Sequence, residues 1–141
     1  MAKVEKIFKP QITRQELPVF IARISAGFPS PAADYEEGKL DLNKHLVKNP
    51  AATFFVRVSG DSMVGAGIHD GDLLIVDRSK EPKTGNVVIA VLNGQLTVKR
   101  LRIRRGKLSL EPENTNYPVQ QITQGMEFEV WGVVTNVIHP L

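Results

Sequence analysis

The sequence predicts a mainly β protein: a compact, mostly antiparallel unit over residues 53–141, preceded by a flexible N-terminal arm. Three observations carry that prediction. From Thr53 onward, runs of β-branched and aromatic residues recur between Gly, Pro, Asn and Asp, which is the composition of strands and their turns. Asn93-Gly94 separates two such runs, and both central residues of a two-residue hairpin need the positive φ that Asn and Gly tolerate. Helical spacing is confined to Asp41–Val47, where Leu42, Leu46 and Val47 can share a face before Asn49-Pro50 ends it.

Taken in order, Met1 to Pro18 mixes Lys, Glu and Gln with scattered apolar residues and two prolines. It has no sustained period and reads as a flexible arm. Val19 to Ile24 is apolar enough to run extended, and it ends in the small residues Ser25-Ala26-Gly27. Phe28-Pro29-Ser30-Pro31 cannot continue a helix and is poor material for a central strand. Residues 19–31 therefore suit either a linker or an extended substrate whose small side chains let another group approach the backbone. Residues 32–50 are polar apart from the short helix. Strands are expected at 53–58, 72–77, 86–92, 95–104, 107–111 and 127–138, with a second hairpin at Arg105-Gly106 and a loop from Pro112 to Pro118. On the residues alone the β domain is expected over 53–141, and the linker with the short helix before it ends at residue 52.

Composition narrows the function. A chain of 141 residues suits one domain, which buries roughly 70% of its unfolded surface. Its apolar content of 42% excludes wholesale disorder. No run approaches the ~20 apolar residues of a membrane span, and the first residues lack a signal-peptide core. Without Cys there is neither a disulfide framework nor a thiol nucleophile, in keeping with a cytoplasmic location. The net charge of +3 permits contact with nucleic acid without requiring it.

The candidate nucleophile is Ser62. It follows the strand 53–58 in Ser59-Gly60-Asp61-Ser62-Met63, where Gly60 and Asp61 break the strand and leave a hydroxyl free to face a cleft. Its candidate base is Lys99. Side chains alternate along 95–104, so Thr97, Lys99, Leu101 and Ile103 share one side, and Leu96, Val98, Arg100, Arg102 and Arg104 lie on the other, which the arginines mark as solvated over its second half. Lys99 is thus the one basic residue aligned with the apolar side. A free Lys titrates near ~10.4 and is useless as a base at neutral pH. Burial can lower it by as much as ~3–5 units, into the range where it takes a proton from serine. A Ser–Lys pair of this kind performs acyl transfer without His or Asp.

Other constellations offer less. His69 follows Ser62, but the G-x-S-x-G elbow is absent and His69-Asp70-Gly71-Asp72 reads as a surface turn. His45 and His139 have no companions at metal-ligand spacing, so neither a metal site nor a cofactor is expected. Asp61, Asp70, Asp72 and Asp77 lack calcium-loop spacing and read as solvated turn residues. The basic stretch Arg100 to Lys107 could touch phosphate, but it lacks interleaved aromatics for base stacking and reads as a solvated edge.

The motifs together resemble the self-cleaving serine peptidases of the LexA/UmuD family. S-G-D-S-M followed by G-I-H-D-G-D-L-L-I-V-D resembles their serine segment, and G-Q-L-T-V-K-R-L the segment carrying their general-base lysine, which falls on Lys99. Upstream, A-G-F-P-S-P-A-A-D-Y is similar to the cleavage region of the UmuD branch, and D-L-N at 41–43 and W-G-V-V-T-N-V-I at 131–138 also fit that branch. The resemblance implies the signal-peptidase-like β-fold of that family's C-terminal domain. It also implies a cut between Ala26 and Gly27, dividing an arm over 1–26 from the linker over 27–52 and made by Ser62 with Lys99 as base and an oxyanion held by the backbone N–H groups of Ser62 and Met63. It further implies a homodimer whose self-cleavage is stimulated by RecA filaments on single-stranded DNA, and whose trimmed form joins a UmuC-type polymerase in error-prone translesion synthesis. Only 26 residues precede that cut, too few for a helix-turn-helix domain, which disfavours a LexA-type repressor; signal peptidases share the dyad but need a membrane anchor. The residues alone leave open a non-enzymatic dimer platform and a basic single-strand-binding β protein.

Overall fold

In the computed structural model, which describes residues 2–13, 16–20 and 36–141 (backbone alone for 16–20 and 36–39), the apolar runs form an eight-stranded antiparallel sheet. In chain order the strands are β1 (Lys3–Phe8), β2 (Glu16–Phe20), β3 (Glu36–Asp41), β4 (Thr53–Ser59), β5 (Leu73–Asp77), β6 (Val87–Leu92), β7 (Gln95–Arg104), β8 (Lys107–Glu111), β9 (Gln120–Gln121) and β10 (Phe128–Ile138). The sheet order is β1-β4-β5-β10-β6-β7-β8-β9, and Lys3 of β1 also pairs with Thr97 of β7. That extra pairing returns β1 to the middle of the sheet and leaves less unpaired edge. The hairpins fall where the turn residues demand: Asn93 and Gly94 have φ of 49° and 80°, and Arg105 and Gly106 adopt the same left-handed pair.

The chain divides into two compact units, Met1–Pro10 with Asn49–Leu141, and Gln11–Lys48. In the larger unit the sheet is buried on both faces. Val56, Val58, Met63, Leu74, Val76, Ile89 and Val98 pack in one cluster, and Val88, Ala90, Leu101, Leu110 and Val133 in a second. Neighbours such as Val88 and Ile89 thus point into different clusters, which is why β6 reads as a continuous apolar run rather than an alternating one. In the smaller unit β2 pairs antiparallel with β3, and the helix α1 (Leu42–Leu46) follows directly. The Asp41 carboxylate caps α1 by accepting from the Asn43 N–H at 3.0 Å.

Three expectations need correction. Residues 1–18 read as a flexible arm, yet Lys3–Phe8 is a strand paired with β4 and Glu16–Phe20 is a strand paired with β3. The side chains of β1 are mostly exposed, so its order comes from backbone pairing and leaves no periodic apolar signal. Glu36–Asp41 lies within the stretch read as polar and is likewise a strand. Ile103, expected on the apolar side of 95–104, is exposed, because it sits near the tip of the β7–β8 hairpin.

Candidate active site

The turn after β4 is fastened from three directions. Gly60 takes a φ of 92°, and its N–H donates to Asp70 Oδ1 at 2.8 Å. Asp61 accepts from the Tyr117 hydroxyl, and its carbonyl accepts from Asn114 Nδ2 at 3.0 Å. The hydrogen bond to Asp61 raises the Tyr117 pKa above its ordinary value. The Ser62 carbonyl accepts from the Glu113 N–H at 2.8 Å, and Gly65 N–H donates to the Glu113 carbonyl at 2.8 Å. This approach needs a glycine, since a Cβ at residue 65 would lie 2.7 Å from the Glu113 oxygen. Met63 is fully buried in the core beside Ser62 and anchors the turn. Ser62 itself has no solvent exposure.

Lys99 is brought to this turn by β7, where it pairs with Val88 of β6. As strand parity predicts, it is buried with Thr97 and Leu101. Its Nζ donates to Ser62 Oγ at 3.1 Å, Thr97 Oγ1 at 3.1 Å and the Val98 carbonyl at 3.0 Å. These acceptors satisfy all three N–H bonds of an ammonium, and among the described residues none of them is a carboxylate. Burial lowers the Lys99 pKa to about 8.

Ser62 Oγ has a second donor, the backbone N–H of Ala2 at 2.7 Å. Ala2 is buried, and its carbonyl accepts from Thr97 Oγ1 at 3.4 Å and lies 3.5 Å from the Val98 N–H. Both acceptor positions of the Ser62 hydroxyl are therefore filled, one by Lys99 and one by the start of β1. Sequence reasoning missed Ala2. A single small residue carries no pattern, and only the β1–β4 and β1–β7 registers bring it here. Ala26 and Gly27, the expected scissile pair, lie outside the described residues.

The acidic and basic residues set aside in the sequence are more engaged than expected. Asp72 and Asp77, read as solvated turn carboxylates, are both buried. Burial raises the Asp77 pKa, but hydrogen bonds from Ser79 and Asn49 together outweigh it and leave the carboxyl below its ordinary value. Asp72 accepts from the His69 N–H at 2.7 Å and lies 2.6 Å from His139 Nδ1. Arg100 pairs with Glu113, Arg102 with Glu111 at 3.0 Å, and Arg104 reaches Glu111 at 3.7 Å. The arginine row is thus partly neutralised by β8 and the residue pair after it. His45 is exposed on α1.

Comparison with known proteins gives this geometry a context. The sequence model of the family described as peptidase S24-like matches residues 18–135. Protein SamA of Salmonella typhimurium (strain LT2) is 49% identical over 122 residues, covering 86% of this chain and 84% of that protein. Protein MucA of Escherichia coli is 47% identical over 128 residues, covering 89% and 87%. The LexA repressor of Paracidovorax citrulli is 36% identical over 129 residues, which span 92% of this chain but 57% of the repressor.

Proposed function

The chain belongs to the peptidase S24-like family, and from that premise we propose that it is a UmuD-like protein of the SOS response that cuts its own N-terminal arm between Ala26 and Gly27. The identity of 49% to SamA and 47% to MucA, against 36% to the LexA repressor, supports the UmuD type over the repressor. The observation that carries the chemistry is the 3.1 Å contact of two buried groups, Lys99 Nζ and Ser62 Oγ, with no carboxylate among the hydrogen-bond partners that the described residues offer Lys99.

In the resting arrangement Lys99 is an ammonium and Ser62 Oγ accepts from it. Loss of one proton, eased by the pKa of about 8, gives Nζ a lone pair. The Ser62 hydroxyl then donates to Nζ and Oγ attacks the Ala26 carbonyl carbon, while the Ala2 N–H gives up its place on Oγ. The oxyanion is stabilised by the N–H groups of Ser62 and Met63. Nζ returns its proton to the Gly27 nitrogen as the peptide bond breaks, leaving residues 1–26 as an ester on Ser62. Water, deprotonated by Lys99, hydrolyses that ester. Thr97 Oγ1 and the Val98 carbonyl are positioning groups, because they accept from Nζ and hold it beside Ser62.

The trimmed protein, residues 27–141, acts in the cytoplasm as a homodimer that joins a UmuC-type polymerase in translesion synthesis, and RecA filaments on single-stranded DNA stimulate the cut. The alternative of a single-strand-binding β protein is weakened by the pairing of Arg100, Arg102 and Arg104 with Glu113 and Glu111. The test is to incubate wild type, Ser62→Ala and Lys99→Ala at alkaline pH and follow the chain by mass spectrometry. Wild type should separate residues 1–26 from 27–141, and both variants should stay whole. An intact wild type, or a variant that cuts normally, rejects the dyad.

A further inference from the structure

Asp72 and His139 become neighbours through strand register. In the antiparallel pair β5–β10, Leu73 stands opposite Ile138, so the residues just outside that pair, Asp72 and His139, are brought side by side. His69 comes from the turn preceding β5, which is closed by the Asp72 N–H donating to the His69 carbonyl at 3.0 Å. The two imidazoles stack with centroids 4.5 Å apart and planes tilted by 33°. Beneath them lies the Asp72 carboxylate, at 1% exposure against 47% and 40% for the His69 and His139 side chains. Asp72 Oδ1 is 2.6 Å from His139 Nδ1, and Oδ2 is 3.7 Å from His69 Nδ1.

We propose that His69, Asp72 and His139 form a binding site for one divalent late-transition metal ion of the zinc type. One ligand atom from each residue can be chosen so that all three lie within 4.8 Å of one another. Ligands held ~2.0–2.2 Å from such an ion are roughly 3.0–3.5 Å apart, and the two Asp72–imidazole distances bracket that spacing. The adjustment falls on two exposed rings, while the carboxylate is already fixed by the His69 N–H and by the backbone bonds of Gly71 and Asp72 to Val58. Two imidazoles and one carboxylate suit zinc, nickel or copper, whereas magnesium and calcium prefer oxygen donors throughout. Three protein ligands leave the remaining positions to water. Sequence spacing excluded a metal because His139 lies 67 residues from Asp72 and only the β5–β10 register joins them. A bound ion would clamp the segment Gly60–Asp72, whose first residues hold Ser62, to the end of β10.

The probe is zinc ion alone, titrated by calorimetry into the chelator-stripped full chain, with thermal melting as a second readout. One equivalent should bind with a dissociation constant of about 1 µM or tighter, and zinc at a hundredfold excess over that constant should raise the melting temperature by several degrees. His69→Ala and His139→Ala should each weaken binding tenfold or more and abolish the shift, and His45→Ala should change neither. Both rings are exposed, but each contacts the buried Asp72 carboxylate, so a cooperative melting transition of each variant in chelator, even at a somewhat lower temperature, establishes that it is folded. Binding that never saturates at one equivalent, or an affinity unchanged in either variant, overturns the site.

Discussion

The segment Gly60–Asp72 has a buried ionisable group near each end, and the two are treated in opposite ways. Near Ser62 lies Lys99, whose hydrogen-bond partners are two hydroxyls and a carbonyl. At the far end Asp72 is equally sheltered, but its carboxylate accepts from the His69 N–H and two imidazoles sit against it. A buried charge without a partner is costly, and a protein lowers that cost by shifting the equilibrium toward the neutral form. The Asp72 end has been given partners for its charge. The Lys99 end has been left with a lysine close to losing its proton, which is the condition a general base needs.

Breaking the comparison at the lysine end should have the largest effect. Ser62→Ala or Lys99→Ala should lower self-cleavage by about 10³-fold or more, since nucleophile and base act as one unit. His69→Ala and His139→Ala should still cut. A gel or mass-spectrometric time course at fixed pH separates the two ends, and loss of cleavage in the histidine variants would erase the contrast. The next effect is on pH. With Lys99 as the proposed base the reactive form is the neutral amine, so the basal rate should climb about tenfold per pH unit at low pH and level off above about 8, where burial has placed the pKa. A rise continuing to pH 10 would mean that Lys99 titrates like an exposed lysine.

The uncompensated charge should also be visible in stability. Lys99 has a folded pKa of about 8 and an unfolded one near ~10.4, so the unfolded chain binds more protons between those values and stability rises with pH across that window. Below pH 8 the buried ammonium costs about 3 kcal/mol relative to an exposed lysine. Lys99→Met keeps the volume and removes the charge but loses three hydrogen bonds worth about 0.5–1.5 kcal/mol each, so a net gain of at most about 1.5 kcal/mol is expected at pH 7. Urea unfolding at pH 7 and pH 10 checks the sign: the gain should shrink at pH 10. A variant less stable than wild type at pH 7 would mean that the hydrogen bonds outweigh the desolvation.

Which parts of this were legible in the sequence follows from how local their causes are. Asn93-Gly94, Arg105-Gly106 and the break at Gly60-Asp61 depend on the φ preferences of adjacent residues, and they fall where expected. The placement of Ser62 in the turn after a strand and of Lys99 on a buried side of β7 was legible from equally local causes, a strand break and the parity along 95–104. The β1 strand, the place of Ala2 and the joining of Asp72 to His139 depend on the register between distant strands. No residue in Lys3–Phe8 announces that its partner is β4, because a strand ordered by backbone pairing with exposed side chains has no apolar rhythm. The arginine row, read as a solvated edge, does keep 23–74% of its side-chain surface exposed, but its ion pairs were not legible, because Glu111 and Glu113 meet it only once β8 folds back.

The smallest expected effect concerns the residue that sequence reasoning missed. The Ala2 N–H fills one acceptor position of the Ser62 hydroxyl, and any substrate carbonyl approaching Oγ meets the backbone already seated there. Its contribution is that of one buried hydrogen bond plus the Lys3–Thr97 pairing, net about 0.5–1.5 kcal/mol for the bond alone. Deleting residues 1–4 should therefore speed activator-free cleavage by about two- to tenfold, with the pH midpoint unchanged because Lys99 keeps its own three acceptors. Melting of the truncated chain shows whether the core that Ala2 helps to fill has survived. A folded truncation that cuts no faster would mean that Ala2 yields its place without cost, and that the latency of the uncut protein rests on the protonation of Lys99 alone.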